Sequence, residues 1–141
     1  MNRIESRPGG VLLTDRGAEF AVWSHHAERI EHCLFDRAGR AEICRLPMNR
    51  GDDDVHRLHV DGVVPGARYG YRAHGRYAPD QGFWFDPSKL LVDPYAKEID
   101  RPFAHDPRLS VFGADTAALV PKAIVTDDPL ARPMRPLLPK G

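Results

Sequence analysis

Cysteine is nearly absent from the chain: Cys33 and Cys44 are the two thiols in 141 residues. Two cysteines without ligand spacing exclude a disulfide scaffold and a thiolate metal site, and they read as reduced thiols of a cytoplasmic protein. Long apolar runs are missing too. No stretch approaches the roughly 20 apolar residues that span a bilayer, and the opening Met1-Asn2-Arg3-Ile4-Glu5-Ser6-Arg7-Pro8 carries no apolar segment of the secretory kind. A membrane is therefore not an expected partner. Charge of one sign is lacking as well, since Lys plus Arg and Asp plus Glu stand at 20 each. Without a net positive field to gather phosphates, nucleic acid is not an expected partner either. A chain of this length has room for one domain around one modest core.

Catalytic arrangements are equally scarce. Asp52-Asp53-Asp54 falls on a loop, where consecutive like charges are solvated. The run also lacks the spaced oxygens and later bidentate glutamate of a calcium loop. Among the seven histidines, His25 and His26 are adjacent in a turn, and His56 and His59 lie three apart on a strand and so face opposite ways. Neither pair converges as metal ligands must. There is no nucleophile elbow, no phosphate-cradling glycine loop and no Ser/His/Asp set. The reading assigns no catalytic residue, no metal and no cofactor.

What the chain does contain is strand patterning, concentrated where proline is rare. Pro8, Pro47 and Pro65 are the three of its 13 prolines that precede residue 76. Proline removes a ladder donor, so regular sheet belongs in that first half. Ala18 to Ser24 alternates, with Phe20 and Val22 on one face and Ala21 and Trp23 on the other. Arg29 to Asp36 sets Ile30, His32 and Leu34 against Glu31, Cys33 and Phe35. Asp36-Arg37-Ala38-Gly39 supplies a hairpin loop into a return strand over Ala41 to Met48. Val55 to Val60 resumes the pattern after the aspartate loop, and Pro65-Gly66 turns the chain into Ala67 to His74. Short strands at intervals of about 10 residues predict an all-β sandwich. The predicted division is a sandwich over 8–76, an irregular extension over 77–125 and a proline-rich linker or tail over 126–141. Within the extension, short turns are expected at Ser88 to Leu91 and at Asp93 to Lys97.

Six aromatic residues, Tyr69, Tyr71, Tyr77, Phe83, Trp84 and Phe85, fall within a single span of the sequence, 69–85. Flat rings stack on the apolar C–H faces of sugars, and nearby polar groups bond their hydroxyls. Tyr77 and Trp84, which bracket Pro79, Asp80, Gln81 and Gly82, are the candidate carbohydrate-binding residues. The same rings have a plainer use, which is to pin an irregular segment onto the sandwich or a neighbouring domain.

The run Pro65-Gly66-Ala67-Arg68-Tyr69-Gly70-Tyr71-Arg72-Ala73-His74-Gly75 resembles the PGxxYGYRxHG of bacterial glycogen-debranching enzymes and isoamylases. Phe85 to Lys97 is similar to their FNPxKLLLDPYAK. Glu19 to Ser24 resembles NFALFS, Cys33 to Asp36 matches CLFD, and Pro121 to Val125 resembles PKxVV. The blocks keep the family's order over roughly residues 8 to 128. The resemblance implies an immunoglobulin-like sandwich of carbohydrate-binding module family 48, N-terminal to a (β/α)8 barrel of glycoside hydrolase family 13 that cleaves α-1,6 branch linkages. On this view the chain is a non-catalytic module, with the catalytic barrel and α-glucan as its partners. The alternative is an autonomous α-glucan-binding module. Three departures stand out. His56 sits where the family has the tryptophan of VWH, and Gly82 to Pro87 replaces GHRFNP. His32 takes a position usually apolar, so its face is expected to be less buried. The outward set Trp23, Cys33 and Phe35 is expected to face the barrel, leaving apolar surface on the isolated chain.

Overall fold

The computed structural model describes residues 9–126, the side chain of Trp84 excepted. Ten strands, β1 (Gly10–Leu13), β2 (Gly17–Trp23), β3 (Arg29–Phe35), β4 (Glu42–Pro47), β5 (Asn49–Arg50), β6 (Val55–Asp61), β7 (Arg68–His74), β8 (Tyr77–Ala78), β9 (Phe83–Trp84) and β10 (Ala123–Ile124), follow one another with short 3-10 turns as the only helical elements described. They form two antiparallel four-stranded sheets, ordered β1-β2-β6-β5 and β10-β7-β3-β4, and a separate β8-β9 hairpin. This is the all-β sandwich that the strand spacing predicts, of the immunoglobulin-like kind that the resemblance implies. The proposed tail over 126–141 lies, apart from Thr126, outside the described residues.

Alternation decides which side chains enter the core. Ala18, Phe20 and Val22 of β2 meet Ile30 of β3 and Tyr69, Tyr71 and Ala73 of β7 between the sheets, with Met48 and Val125 closing the ends. Asp36 makes the β3–β4 hairpin by accepting hydrogen bonds on Oδ1 from the backbone N–H of Arg40 at 2.9 Å and of Ala41 at 3.3 Å. The edge strand β1 escapes the pattern reading because Gly-Val-Leu-Leu does not alternate.

The second sheet has a covered outer face, and here two expectations are corrected. Cys33 and Phe35 are buried, packed against Leu90, Ala117 and Val120 of the chain's own later residues, so neither is free to face a barrel. Leu90 reaches so close that a Cβ on Gly70 would lie 2.9 Å from its side chain, which is why β7 carries a glycine there. The extension is stitched down by polar groups as well. Leu91 exchanges backbone hydrogen bonds with Tyr71 at 2.7 and 2.9 Å, and Thr116 donates its N–H to the Ser88 carbonyl at 3.1 Å. The Thr116 hydroxyl accepts from the N–H of Leu90 at 2.9 Å. Turns close at Asp86–Lys89 and Asp93–Ala96. Residues 123–124 then return to the sheet as a strand beside β7.

Arg72, on the outer face of β7, is wholly buried beneath this extension. It donates to Glu42 at 2.8 Å, to Asp115 at 3.0 Å and to the Pro87 carbonyl at 3.0 Å. Lys122 is likewise buried, bonded to the Val120 carbonyl at 2.8 Å and lying 5.2 Å from the centre of the Phe35 ring. A buried charge is tolerated only when other groups compensate it: Arg72 has two carboxylates and a carbonyl, and Lys122 has a carbonyl and the face of an aromatic ring. Burial, reinforced by Glu42, pushes the Cys33 thiol up to about 12, so it is an inert core group. Both cysteines are free.

The second correction concerns His32. It is 0% exposed rather than marking a wetter face. Its ring packs against Phe20 with centroids 3.9 Å apart and stacks on Tyr69 at 5.6 Å. Neither ring nitrogen has a hydrogen-bond partner, and burial lowers its pKa to about 3. The histidine is a neutral member of an aromatic core.

Candidate carbohydrate-contacting surface

The hairpin that carries the two candidate residues forms for local reasons. Pro79 starts a 3-10 turn over Pro79–Gln81, and Gly82 closes it in the left-handed conformation at φ 86°, returning its N–H to the Pro79 carbonyl at 3.1 Å. Glycine adopts that backbone without the Cβ penalty. The turn reverses the chain so that Tyr77 pairs with Trp84 and Ala78 with Phe83. Sequence separation thus becomes direct opposition in register. Tyr69 and Tyr71, by contrast, lie in the core, where Tyr69 donates to Asp93 at 2.6 Å.

Around the hairpin, polar and aromatic groups alternate. The Arg76 guanidinium lies 4.9 Å from the centre of the Phe83 ring and donates to Gln81 Oε1 at 2.5 Å. His26, on the β2–β3 loop, sits edge-on to Phe83 at 6.1 Å. The Tyr77 ring meets Phe112 at 4.2 Å between centroids, inclined at 50°. Phe112 is a residue that sequence reasoning missed. It follows a 3-10 turn at Pro107–Ser110, and no period points to it. Its one signal is an apolar pair, Val111-Phe112, set between Ser110 and Gly113.

The loop bearing Phe112 is fixed from beneath. Asp86, two residues past the hairpin, accepts on Oδ2 from the Gly113 N–H at 2.9 Å and from Lys89 Nζ at 3.0 Å. Its Oδ1 accepts from the Ser88 N–H at 3.0 Å and from the Ser88 hydroxyl at 2.7 Å. Lys89 also donates to the carbonyls of Ala114, at 3.0 Å, and of Val111. Burial raises the Asp86 carboxyl, but the bonds from Ser88, Gly113 and Lys89 outweigh it and hold the pKa down to about 2. A depressed carboxylate stabilises the fold above its unfolded pKa near 4, and that contribution is lost as pH falls toward 2. Asp86→Ala is therefore expected to cost about 2 kcal/mol at pH 7 and almost nothing at pH 2, as read by urea unfolding at both values.

At the opposite margin of this end, Asp54 adopts a positive φ of 64°. It bonds Arg50 at 2.8 Å and His25 at 2.7 Å. Arg50 also reaches the carbonyls of Ala27 and His25. The aspartate loop is thus an ion-paired turn. Among the described residues, no group of three or more His, Cys, Asp or Glu gathers to hold a metal ion. No described helix is long and apolar enough to cross a membrane.

Two facing antiparallel sheets, an extension packed onto one of them and a short aromatic-bearing hairpin define an immunoglobulin-like β-sandwich. More particularly, the chain belongs to the carbohydrate-binding module 48 (isoamylase N-terminal domain) family, whose model matches residues 8–96. It is similar to the glycogen debranching enzyme of Salmonella typhi, at 41% identity over 129 residues, covering 88% of this chain and 19% of that protein. The same figures hold for the glycogen debranching enzyme of Salmonella dublin. The chain thus spans about one fifth of the length of these relatives. Its fold is similar to Klebsiella pneumoniae pullulanase complexed with maltotriose, with a TM-score of 0.62 at 21% identity over 87% of this chain and 10% of that one. Paenibacillus barengoltzii pullulanase, in complex with maltohexaose and α-cyclodextrin, gives 0.59 at 20% identity over 85% and 15%.

Proposed function

We propose that the chain is the non-catalytic N-terminal module of a glycogen-debranching enzyme whose remaining part hydrolyses α-1,6 linkages in glycogen or related α-glucans. In this reading its first role is to dock on a catalytic (β/α)8 barrel, with contact to α-glucan as an additional one. The observation that carries it is the 41% identity to glycogen debranching enzymes across 88% of the chain. Glycosidic hydrolysis ordinarily needs two carboxyl groups held at a set separation across the bond, and several of the acids described here are committed elsewhere. Asp86 holds a loop, Asp93 pairs with Tyr69, and Glu42 and Asp115 pair with Arg72. Its place is the cytoplasm, in keeping with two free thiols. Reading the coding DNA beyond residue 141 tests the parentage. An in-frame barrel supports it, and a stop codon with no barrel gene fused or adjacent overturns it.

The second reading, an autonomous α-glucan-binding module, draws on the hairpin that sets Tyr77 opposite Trp84. Titrating the chain with maltoheptaose while following tryptophan fluorescence separates the two. Saturable binding that Trp84→Ala abolishes favours the autonomous module, and no binding at millimolar glucan leaves the docking module alone.

A further inference from the structure

We infer that Phe112 is a sugar-contacting residue, and that with Tyr77 it forms a two-ring platform for an α-linked glucan on the chain's own extension. The inference rests on the reading that the hairpin contacts glucan, and it adds a residue from a different segment, some 30 positions downstream of the hairpin.

Three observations carry it. First, Phe112 is 57% exposed and Val111 beside it 52%, while Tyr77 retains 40%. Leaving that much apolar surface wet is costly, at roughly 25 cal/mol per Å². A ring that served only to pin the extension would be pressed inward, as Phe35 is.

Second, the exposure is held in place. The loop around Phe112 hangs on the Asp86–Lys89 pair, through the Gly113 N–H and the carbonyls of Val111 and Ala114. A buried carboxylate and an ammonium are thus committed to a loop whose outer residues are apolar. Such fixing lowers the ordering cost of binding, which is what a rigid contact residue needs.

Third, the geometry suits the ligand class. The two rings are inclined at 50° rather than coplanar. Successive glucose rings of an α-1,4 chain turn relative to one another as the chain curves, whereas a β-1,4 chain presents a flat ribbon. Inclined rings follow the first and miss the second. Arg76 and Gln81, bonded to each other near Tyr77, supply donors and an acceptor for hydroxyl groups at the rim.

The test is calorimetric titration of the chain with maltoheptaose and with cellohexaose, using wild type, Phe112→Ala, Phe112→Trp and Tyr77→Ala. Phe112→Ala is expected to weaken maltoheptaose binding about tenfold or more, with an unchanged unfolding midpoint, and Phe112→Trp is expected to retain it. Cellohexaose is expected to bind at least tenfold more weakly than maltoheptaose. If wild type binds, Tyr77→Ala weakens binding and Phe112→Ala does not, the Phe112 assignment is overturned and the hairpin reading stands. Equal binding of the two oligosaccharides overturns the α-linked specificity. No binding by wild type overturns the hairpin reading and the platform with it.

Discussion

Between pH 7 and pH 4.5 the folded chain is expected to lose about 3 kcal/mol of stability, and His32→Leu is expected to remove most of that loss. The unfolded histidine titrates near 6.5, whereas burial lowers the folded value to about 3. In that window the unfolded state binds a proton that the folded state refuses. Stability is thus fully present above pH 6.5 and drains as pH falls toward 3. His56, also lowered by burial, acts in the same direction. Asp93, raised by burial against its bond from Tyr69, acts in the opposite one, because the folded state then takes up a proton more readily. Asp86 contributes only below about pH 4. At pH 7 the same substitution is expected to stabilise by about 1 kcal/mol, since two buried nitrogens without partners are replaced by apolar atoms. Urea unfolding of wild type and variant at the two pH values checks both figures. An unchanged pH slope in the variant would contradict the account of the core.

Removing the Arg72 side chain has the second large expected effect. Arg72→Ala removes one of Glu42's two arginine partners, takes the guanidinium from Asp115 and the Pro87 carbonyl, and opens a void where the arginine stem packed. Losing a wholly buried side chain together with its hydrogen bonds costs about 2–4 kcal/mol. Arg72→Met combined with Glu42→Gln removes both charges while filling the space, and it is expected to recover most of the loss. Arg72 joins β7 to Pro87 and Asp115, so Arg72→Ala is also expected to release the extension locally. Trypsin would then cut after Lys89 and Arg108 well before the sandwich unfolds. If the variant loses under about 1 kcal/mol and resists trypsin as wild type does, the extension is not held as described.

The sandwich was legible because alternation is a local property. Phe20 and Val22 point into the core on the face that the pattern assigns them, and Asp36 closes the hairpin where the turn residues stand. What covers an outward face is not local. Cys33 and Phe35 alternate as solvent-facing residues would, yet Leu90 and Ala117, more than fifty residues later, bury them. His32 shows the same limit from the other side. A polar residue at an inward position says nothing of whether the core will dehydrate it, and here it does. At the candidate surface, Tyr77 and Trp84 could be found because a Pro-to-Gly turn separates them. Phe112 could not, because its neighbour Tyr77 is set by where Asp86 anchors a distant loop.

In the proposed function, this module meets α-glucan through one end of its sandwich and does not hydrolyse it. Chemical-shift mapping of the isotope-labelled chain with maltoheptaose tests this most directly, followed by the spectrum of a branched glucan incubated with the same sample. The account predicts saturable shifts confined to residues 76–85 and 110–113, with no new reducing-end signals from the branched glucan. Shifts centred on the faces of β1 to β6, an absence of shifts at millimolar sugar, or the growth of reducing ends would contradict it.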